Sequence, residues 1–351
     1  METILITGGN GFIGSHICTS LIESGYRVVI LDSLINSSRV IINKIWEISK
    51  LKKDEFLRRV KFVEGDIRDY RILDEIFISE KRNKSPILSV IHLAGLKSIK
   101  DSLSFPLEYW DVNVNGSINL LKTMMRHRCF QIVFSSSASI YGLNEDGFVD
   151  ENSNLNPINT YAKTKLTVES ILNQIFISEP EKWKIACLRY FNPIGAHSSG
   201  LIGENPKGSP NNIFPHLMRV ASRKDQIFNI FGGDWPTKDG TGIRDYIHVM
   251  DLAEGHLASL EFLKIQDEQI IYLNIGTGKA TSVLDLISTF EEVNKCKIPF
   301  QITKRREGDV CKLVARNRLA LETLSWSPKR NLEEMCKDGW QWQINNPNGY
   351  S

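Results

Sequence analysis

Six short runs of β-branched and aliphatic residues recur through the first 191 positions, with helix-like stretches between them. They are TILIT (3–7), RVVILD (27–32), RVKFVEGD (59–66), ILSVIHLAG (87–95), FQIVFSSS (130–137) and WKIACLRYF (183–191). Strands buried on both faces read as continuous apolar runs rather than alternating ones. Separated by helices, they imply βαβ crossovers and a parallel sheet covered on both sides. The expected fold is α/β, with a doubly wound parallel sheet over residues 1–190. Segment 35–59 reads as a surface loop plus a charged helix. After Phe191 the chain becomes rich in Gly, Pro, Asn and Ser (192–212), the composition of a long loop. A smaller, mixed α/β domain is expected over 191–351.

Composition narrows the partners. Forty-three Lys+Arg against 41 Asp+Glu give a net charge of +2, which supplies no attraction for nucleic acid or an anionic membrane. The six cysteines are scattered with no CxxC pair, so neither a zinc site nor a disulfide framework is expected. Met1 runs directly into a short apolar stretch ended by glycines, unlike a secretory leader. No run approaches the roughly 18 apolar residues of a membrane span. A cytoplasmic location is expected.

Between the first strand and the first helix lies TGGNGFIGSH, with Gly8, Gly11 and Gly14 spaced G-x-x-G-x-x-G. Such a turn lets backbone approach a pyrophosphate and lets the helix pack on the strand. The helix N-terminus then offers unpaired N–H groups. Asp32 ends the next strand, where a carboxylate binds a ribose 2′-hydroxyl and repels a 2′-phosphate. The pattern points to a dinucleotide, NAD over NADP. Asp66, after the third strand, has two readings: acceptor for an adenine amino group, or helix cap. Gly95 closes the fourth strand at the ligand-binding edge.

Tyr161 and Lys165 in TYAKTK are four residues apart, hence on one face of a helix. An isolated phenol has a pKa near ~10, and an adjacent ammonium lowers it. The pair is an acid/base candidate for an alcohol. Ser135, Ser136 and Ser137 end the fifth strand at the same edge, where a hydroxyl can meet a substrate oxygen.

Together these stretches resemble the extended short-chain dehydrogenase/reductase family, and within it the UDP-glucose (UDP-galactose) 4-epimerases. ITGGNGFIGSH, LDSLINSS, FVEGDIRD, VIHLAGLKS, PLEYWDVNVNG, FSSSASIYG, YAKTK, LRYFNPIGAH, GTGIRDYIHVMDLA and RREGD carry the likeness. The resemblance implies a Rossmann domain holding NAD and a C-terminal domain holding a UDP-sugar. It implies C4 epimerisation through a transient 4-keto sugar and enzyme-bound NADH. Tyr161 would be the acid/base, Lys165 would tune it, and Ser137 would hydrogen-bond the substrate. The cofactor contacts carried over are Gly8, Gly11, Phe12, Ile13, Gly14, Asp32, Asn36, Asp66, Ile67, Leu93, Ala94, Gly95, Lys97, Asn113, Ser135, Tyr161, Lys165 and Tyr190. The substrate contacts are Asn192, Asn212, Phe231, Arg244, Tyr246, Arg306, Asp309 and Leu313, beside Ser137 and Tyr161. It further implies a homodimer.

Read without the family, Arg244–Asp245 fits a surface ion pair and Phe231 fits the core. Related 4,6-dehydratases carry an Asp–Glu pair just after the strand-five hydroxyl residue. Here Ala138 and Ser139 stand there, which argues against elimination. A sugar-nucleotide dehydrogenase would need a catalytic cysteine, and an NAD-binding sensor would lack the Tyr–Lys pair. Leu313 occupies a position where a family tyrosine narrows the pocket against N-acetylated UDP-sugars. Leucine is smaller than that tyrosine but larger than the residues of the broad-range members, so the resemblance leaves open both a range that includes UDP-GlcNAc and UDP-GalNAc and one that excludes them.

Overall fold

The computed structural model describes residues 1–144, 146–208, 210, 212–306 and 308–350. In chain order it forms β1 (Thr3–Thr7), α1 (Phe12–Glu23), β2 (Arg27–Asp32), α2 (Val40–Ser49), α3 (Lys53–Arg59), β3 (Val60–Glu64), α4 (Tyr70–Arg82) and β4 (Ile87–His92). There follow α5 (Ile99–Ser104), α6 (Pro106–Tyr109), a π-helical turn (Trp110–Asn115), α7 (Gly116–Arg126), β5 (Gln131–Ser137), β6 (Phe148–Val149), α8 (Thr160–Ser178) and β7 (Lys184–Tyr190). The remainder is β8 (Asn192–Ile194), α9 (Ile213–Ala221), β9 (Phe228–Phe231), β10 (Ile243–Arg244), β11 (Tyr246–His248), α10 (Val249–Ile265), β12 (Gln269–Ile275), β13 (Thr281–Ser282), α11 (Val283–Asn294), β14 (Phe300–Thr303), β15 (Lys312–Ala315), α12 (Arg318–Leu324) and α13 (Leu332–Asn345).

The chain forms two compact units. The first comprises Met1–Ser137, Asn159–Arg189 and Ala253–Leu273; the second takes the rest. The division interleaves in sequence, so residues 138–158 and 253–273 fall outside a single cut at 190/191. The cause in the first unit is β12, a seventh strand supplied from far down the chain, whose Gln269 N–H donates to Trp183 O at 3.0 Å.

The first unit is built on one seven-stranded sheet in the order β12-β7-β5-β4-β1-β2-β3. β1 pairs in parallel with β2 and with β4, β2 with β3, and β4 with β5. Strand order therefore reverses between β1 and β4, the switch point at which open α/β sheets bind ligands. Leu5, Val29, Val90, Ile132 and Ile185 of the strands pack with Leu73 and Phe77 of α4, Leu120 and Met124 of α7, and Leu172 of α8. Segment 35–59 holds the expected loop and a charged helix, α3, and adds α2 between them. It holds two helices, and α2 buries Ile41, Ile45 and Ile48, because i, i+4, i+7 spacing gives it one apolar face.

The second unit carries a four-stranded sheet, β13-β10-β15-β6, and the pairs β11-β8 and β14-β9. Phe214 and Leu217 of α9, Leu286 and Phe290 of α11, and Met335 of α13 share its core with Phe228 and Ile230 of β9. α11 and α13 both begin in reciprocal capping boxes, at Ser282 and Asn331, which satisfy donors that a helix start otherwise leaves open.

Candidate functional site

The glycine turn sits at the switch point of the first unit. Gly8 has φ +73°, and its N–H donates to Leu31 O at 2.7 Å. A Cβ on Gly14 would lie 2.3 Å from Gly8 O, so only glycine lets α1 approach the turn this closely. Gly11 caps α1 without a side-chain bond, and the first turn carries no acidic residue. Its N–H groups are thus left for an anion. Phe12 and Ile13 open the helix half-buried, Phe12 edge-on to His16.

Asp32 ends β2 beside this turn. Its Oδ2 accepts from Asn10 N (2.9 Å), and its Oδ1 from Leu34 N (2.9 Å) and Ser37 Oγ (2.7 Å). Asn36 is exposed on the same loop. Asn10, which the sequence did not single out, donates from Nδ2 to Ser38 O, while its Oδ1 is buried with no donor among the described residues. A buried acceptor left open costs about 1–3 kcal/mol. The glycine cradle, the fixed carboxylate and this open acceptor fit the pyrophosphate and hydroxyls of a dinucleotide.

The helix-cap reading of Asp66 does not hold. Asp69 caps α4, accepting from Arg71 N and Ile72 N. Asp66 instead takes both arms of Arg68, at 3.0 and 2.7 Å, and that guanidinium holds its carboxyl below the usual range. Arg68 also reaches Asp111 on the π-helical turn at 2.8 Å. The Ile67 side chain lies in the core, where a Cβ on Gly116 would meet it at 2.6 Å. Beyond β4, Leu93 N donates to Thr7 O and Ala94 N to Thr7 Oγ1. Lys97 is exposed on the same loop. Asn113 clamps this loop, accepting from Leu96 N (2.7 Å) and donating to Leu96 O (3.1 Å) and Thr164 Oγ1 (3.0 Å). A Cβ on Gly95 would sit 3.0 Å from Asn113 Oδ1 and 3.9 Å from Lys165 Nζ.

α8 brings the acid/base candidates to the same edge. Asn159 starts it by accepting from Ala162 N at 2.8 Å. Ser137 hydrogen-bonds the Tyr161 side chain. Lys165 Nζ donates to Ser135 O at 2.7 Å and lies 5.9 Å from the Tyr161 ring centre. The expected lowering of the phenol by Lys165 is not what this arrangement gives. Burial pushes Tyr161 up, and the Ser137 bond offsets part of that. Burial lowers the Lys165 ammonium to about 8, with Glu169 opposing. Behind the pair Ser136 joins a network whose other members, Glu169 and Arg189, the sequence reading missed. Its one sequence signal is an acid four residues beyond Lys165.

In the second unit, Arg306 lies over the Phe231 ring at 4.5 Å and pairs with Asp309 at 3.0 Å. Phe231 ends β9 at 36% exposure, so it is not core. Arg244 and Asp245 are not a surface pair. Asp245 is fully buried and accepts from Thr277 N, Thr277 Oγ1, Gly278 N and Ala315 N. Arg244 donates to Ile243 O at 2.9 Å, and among the described residues no carboxylate touches it. Burial lowers its proton affinity, with Asp309 and Arg306 in electrostatic reach. Leu313 stands opposite Arg244 in the β10–β15 register. Asn192 stands opposite Tyr246, whose hydroxyl is buried with no hydrogen-bond partner among the described residues. Asn212 begins α9 with its amide on Glu204 at 3.1 Å rather than on the helix. Tyr190 is buried at the end of β7.

A family model described as GDP-mannose 4,6 dehydratase matches residues 5–339. A UDP-glucose 4-epimerase of Neisseria meningitidis serogroup C is 46% identical over 353 residues, covering 100% of this chain and 99% of that protein. The chain belongs to the UDP-glucose 4-epimerase family. Two solved members of the family share its fold. The epimerase of Stenotrophomonas maltophila, with bound NAD and formylated UDP-arabinopyranose, aligns with a TM-score of 0.92 at 41% identity, covering 99% of each chain. That of Bifidobacterium longum, in complex with NAD+ and UDP, gives 0.92 at 38% identity, covering 99% of this chain and 100% of that one.

Proposed function

We propose that this chain interconverts UDP-galactose and UDP-glucose by inverting C4, with NAD as its resident cofactor. The observation that carries the reading is the edge at the switch point: Tyr161 on Ser137, and Lys165 on Ser135 O. Gly8, Gly11 and Gly14 cradle the pyrophosphate, and Asp32 and Asn10 accept from hydroxyls. Bound NAD supplies the hydride acceptor and, when oxidised, a positive ring charge. Burial raises the Tyr161 phenol and the Ser137 bond offsets part of that; the positive ring of bound NAD would favour the phenolate. Tyr161 then takes the 4-hydroxyl proton as C4 is oxidised, and Ser137 steadies the same oxygen. The 4-keto sugar turns over, C4 is reduced on its other face, and Tyr161 returns the proton. The reaction carries no net redox change.

UDP falls to the second unit. Arg244 and Arg306 suit a pyrophosphate, a guanidinium fork matching its oxygens. Asp309 suits ribose hydroxyls, Phe231 offers a ring face to the uracil, and Asn192, Asn212 and Tyr246 supply polar contacts. Leu313 leaves room that a tyrosine would fill, which extends the range to UDP-GlcNAc and UDP-GalNAc. The working form is a cytoplasmic homodimer built through helices of the NAD domain.

The test offers purified protein UDP-galactose and, separately, UDP-GlcNAc, with no NAD added, and follows C4 by NMR. Inversion of both is expected. Inversion of UDP-galactose alone refutes the wider range; inversion of neither, even with NAD restored, refutes the function.

A further inference from the structure

Tyr161, Lys165 and Glu169 lie at i, i+4 and i+8 of α8, one above another on a single face. Each meets one of three consecutive serines of β5. Tyr161 bonds Ser137, Lys165 Nζ donates to Ser135 O, and Ser136 Oγ donates to Glu169 Oε1. Arg189 of β7 closes the far end, its Nε on Glu169 Oε1 at 3.1 Å and its Nη2 on Oε2 at 2.8 Å. The two charged side chains are 3% and 4% exposed.

We propose that Glu169, balanced by Arg189, is a positioning residue for the reaction: it fixes the end of β5 against α8 and keeps Lys165 an ammonium. The inference rests on the epimerase reading only in its kinetic half.

The groups facing Lys165 bear this out. β5 presents the Phe134 ring, 5.0 Å from Nζ, and the Ser135 carbonyl. β4 presents His92, which burial lowers to about 3 and so keeps neutral. α8 presents Tyr161, held as the phenol, and Glu169. β7 adds Arg189 behind Glu169 and the Cys187 thiol, pushed well up by burial. Glu169 is thus the group that favours the ammonium against burial. Neutralising Glu169 removes that support and leaves Arg189 unbalanced, so Lys165 would lose its proton at lower pH. Neutralising Arg189 leaves the carboxylate unopposed, so Lys165 would hold its proton to higher pH.

The experiment titrates full-length protein carrying [ε-13C]lysine by NMR, with the Lys165 signal assigned through Lys165→Arg, and records the pH profile of kcat for C4 inversion. Glu169→Gln is expected to move the Lys165 midpoint and the alkaline limb of kcat down by about one unit. Arg189→Met is expected to move both up. Ser136→Ala keeps both charges, so it should lower kcat several-fold at an unmoved midpoint. Lost packing alone cannot give shifts of opposite sign. Unmoved midpoints in the charge variants, or shifts of one sign, overturn the electrostatic half; unchanged kcat in Ser136→Ala overturns the positioning half. If a charge variant fails to fold, the other and Ser136→Ala still decide. Failure of the wild type to invert C4 would count against the epimerase reading, while the lysine titration would still judge this one.

Discussion

Arg244 shows at the scale of one residue how a site announces itself. Its guanidinium is half-buried, and its side-chain hydrogen bonds among the described residues go to backbone carbonyls. A charge kept this way destabilises the free protein and favours an anionic ligand. Arg244→Met is therefore expected to weaken UDP binding by about 10- to 100-fold, the worth of a hydrogen bond to a charged group, while leaving Tm unchanged or higher. Calorimetric titration with UDP and a thermal melt check both; a lower Tm with unchanged UDP affinity would make Arg244 structural. The sequence told where some residues would lie and not others. The glycines, Asp32 and the Tyr–Lys pair are legible because spacing alone places them. The fate of Asp66 was not, because it depends on Arg68 choosing a carboxylate over solvent. The Glu169–Arg189 pair was not either, because their 20-residue separation is closed only by α8 lying over β7.

Among the elements, the turn between β1 and α1 has the least room for change. Gly14→Ala would drive a methyl against Gly8 O and the Gly9 backbone, at 2.3 and 2.7 Å. Relief requires α1 to move off the turn, at a cost of about 1–3 kcal/mol. The expected result is a lower Tm together with loss of co-purifying NAD, read by melting and by absorbance of the released nucleotide; full retention would show that the turn does not hold the cofactor. The strand runs were legible because buried parallel strands leave continuous apolar text. Segment 35–59 was read one helix short because the brief α2 runs almost directly into the charged α3. The π-helical turn carrying Asn113 leaves no mark in composition, since one extra residue per turn changes no side-chain chemistry.

For the whole molecule, cofactor and stability are linked. A dinucleotide that binds only the folded chain adds about 2.7 kcal/mol at 100 times its Kd. Stripping NAD is thus expected to lower Tm by several degrees, and adding NAD back to restore it. NADP at the same concentration should restore little, because Asp32 repels a 2′-phosphate. Equal rescue by both would contradict the role of Asp32. The interleaving of the two units was not legible, since β12 reads like any other strand and nothing local says which sheet it joins. Its placement has a consequence for how the protein is made. On the ribosome, the sheet of the first unit must wait for residues 269–275 before β7 gains its outer neighbour. Until then a row of unpaired backbone groups stands open to other nascent chains. A coding sequence cut at position 190 would freeze the protein in that adhesive state.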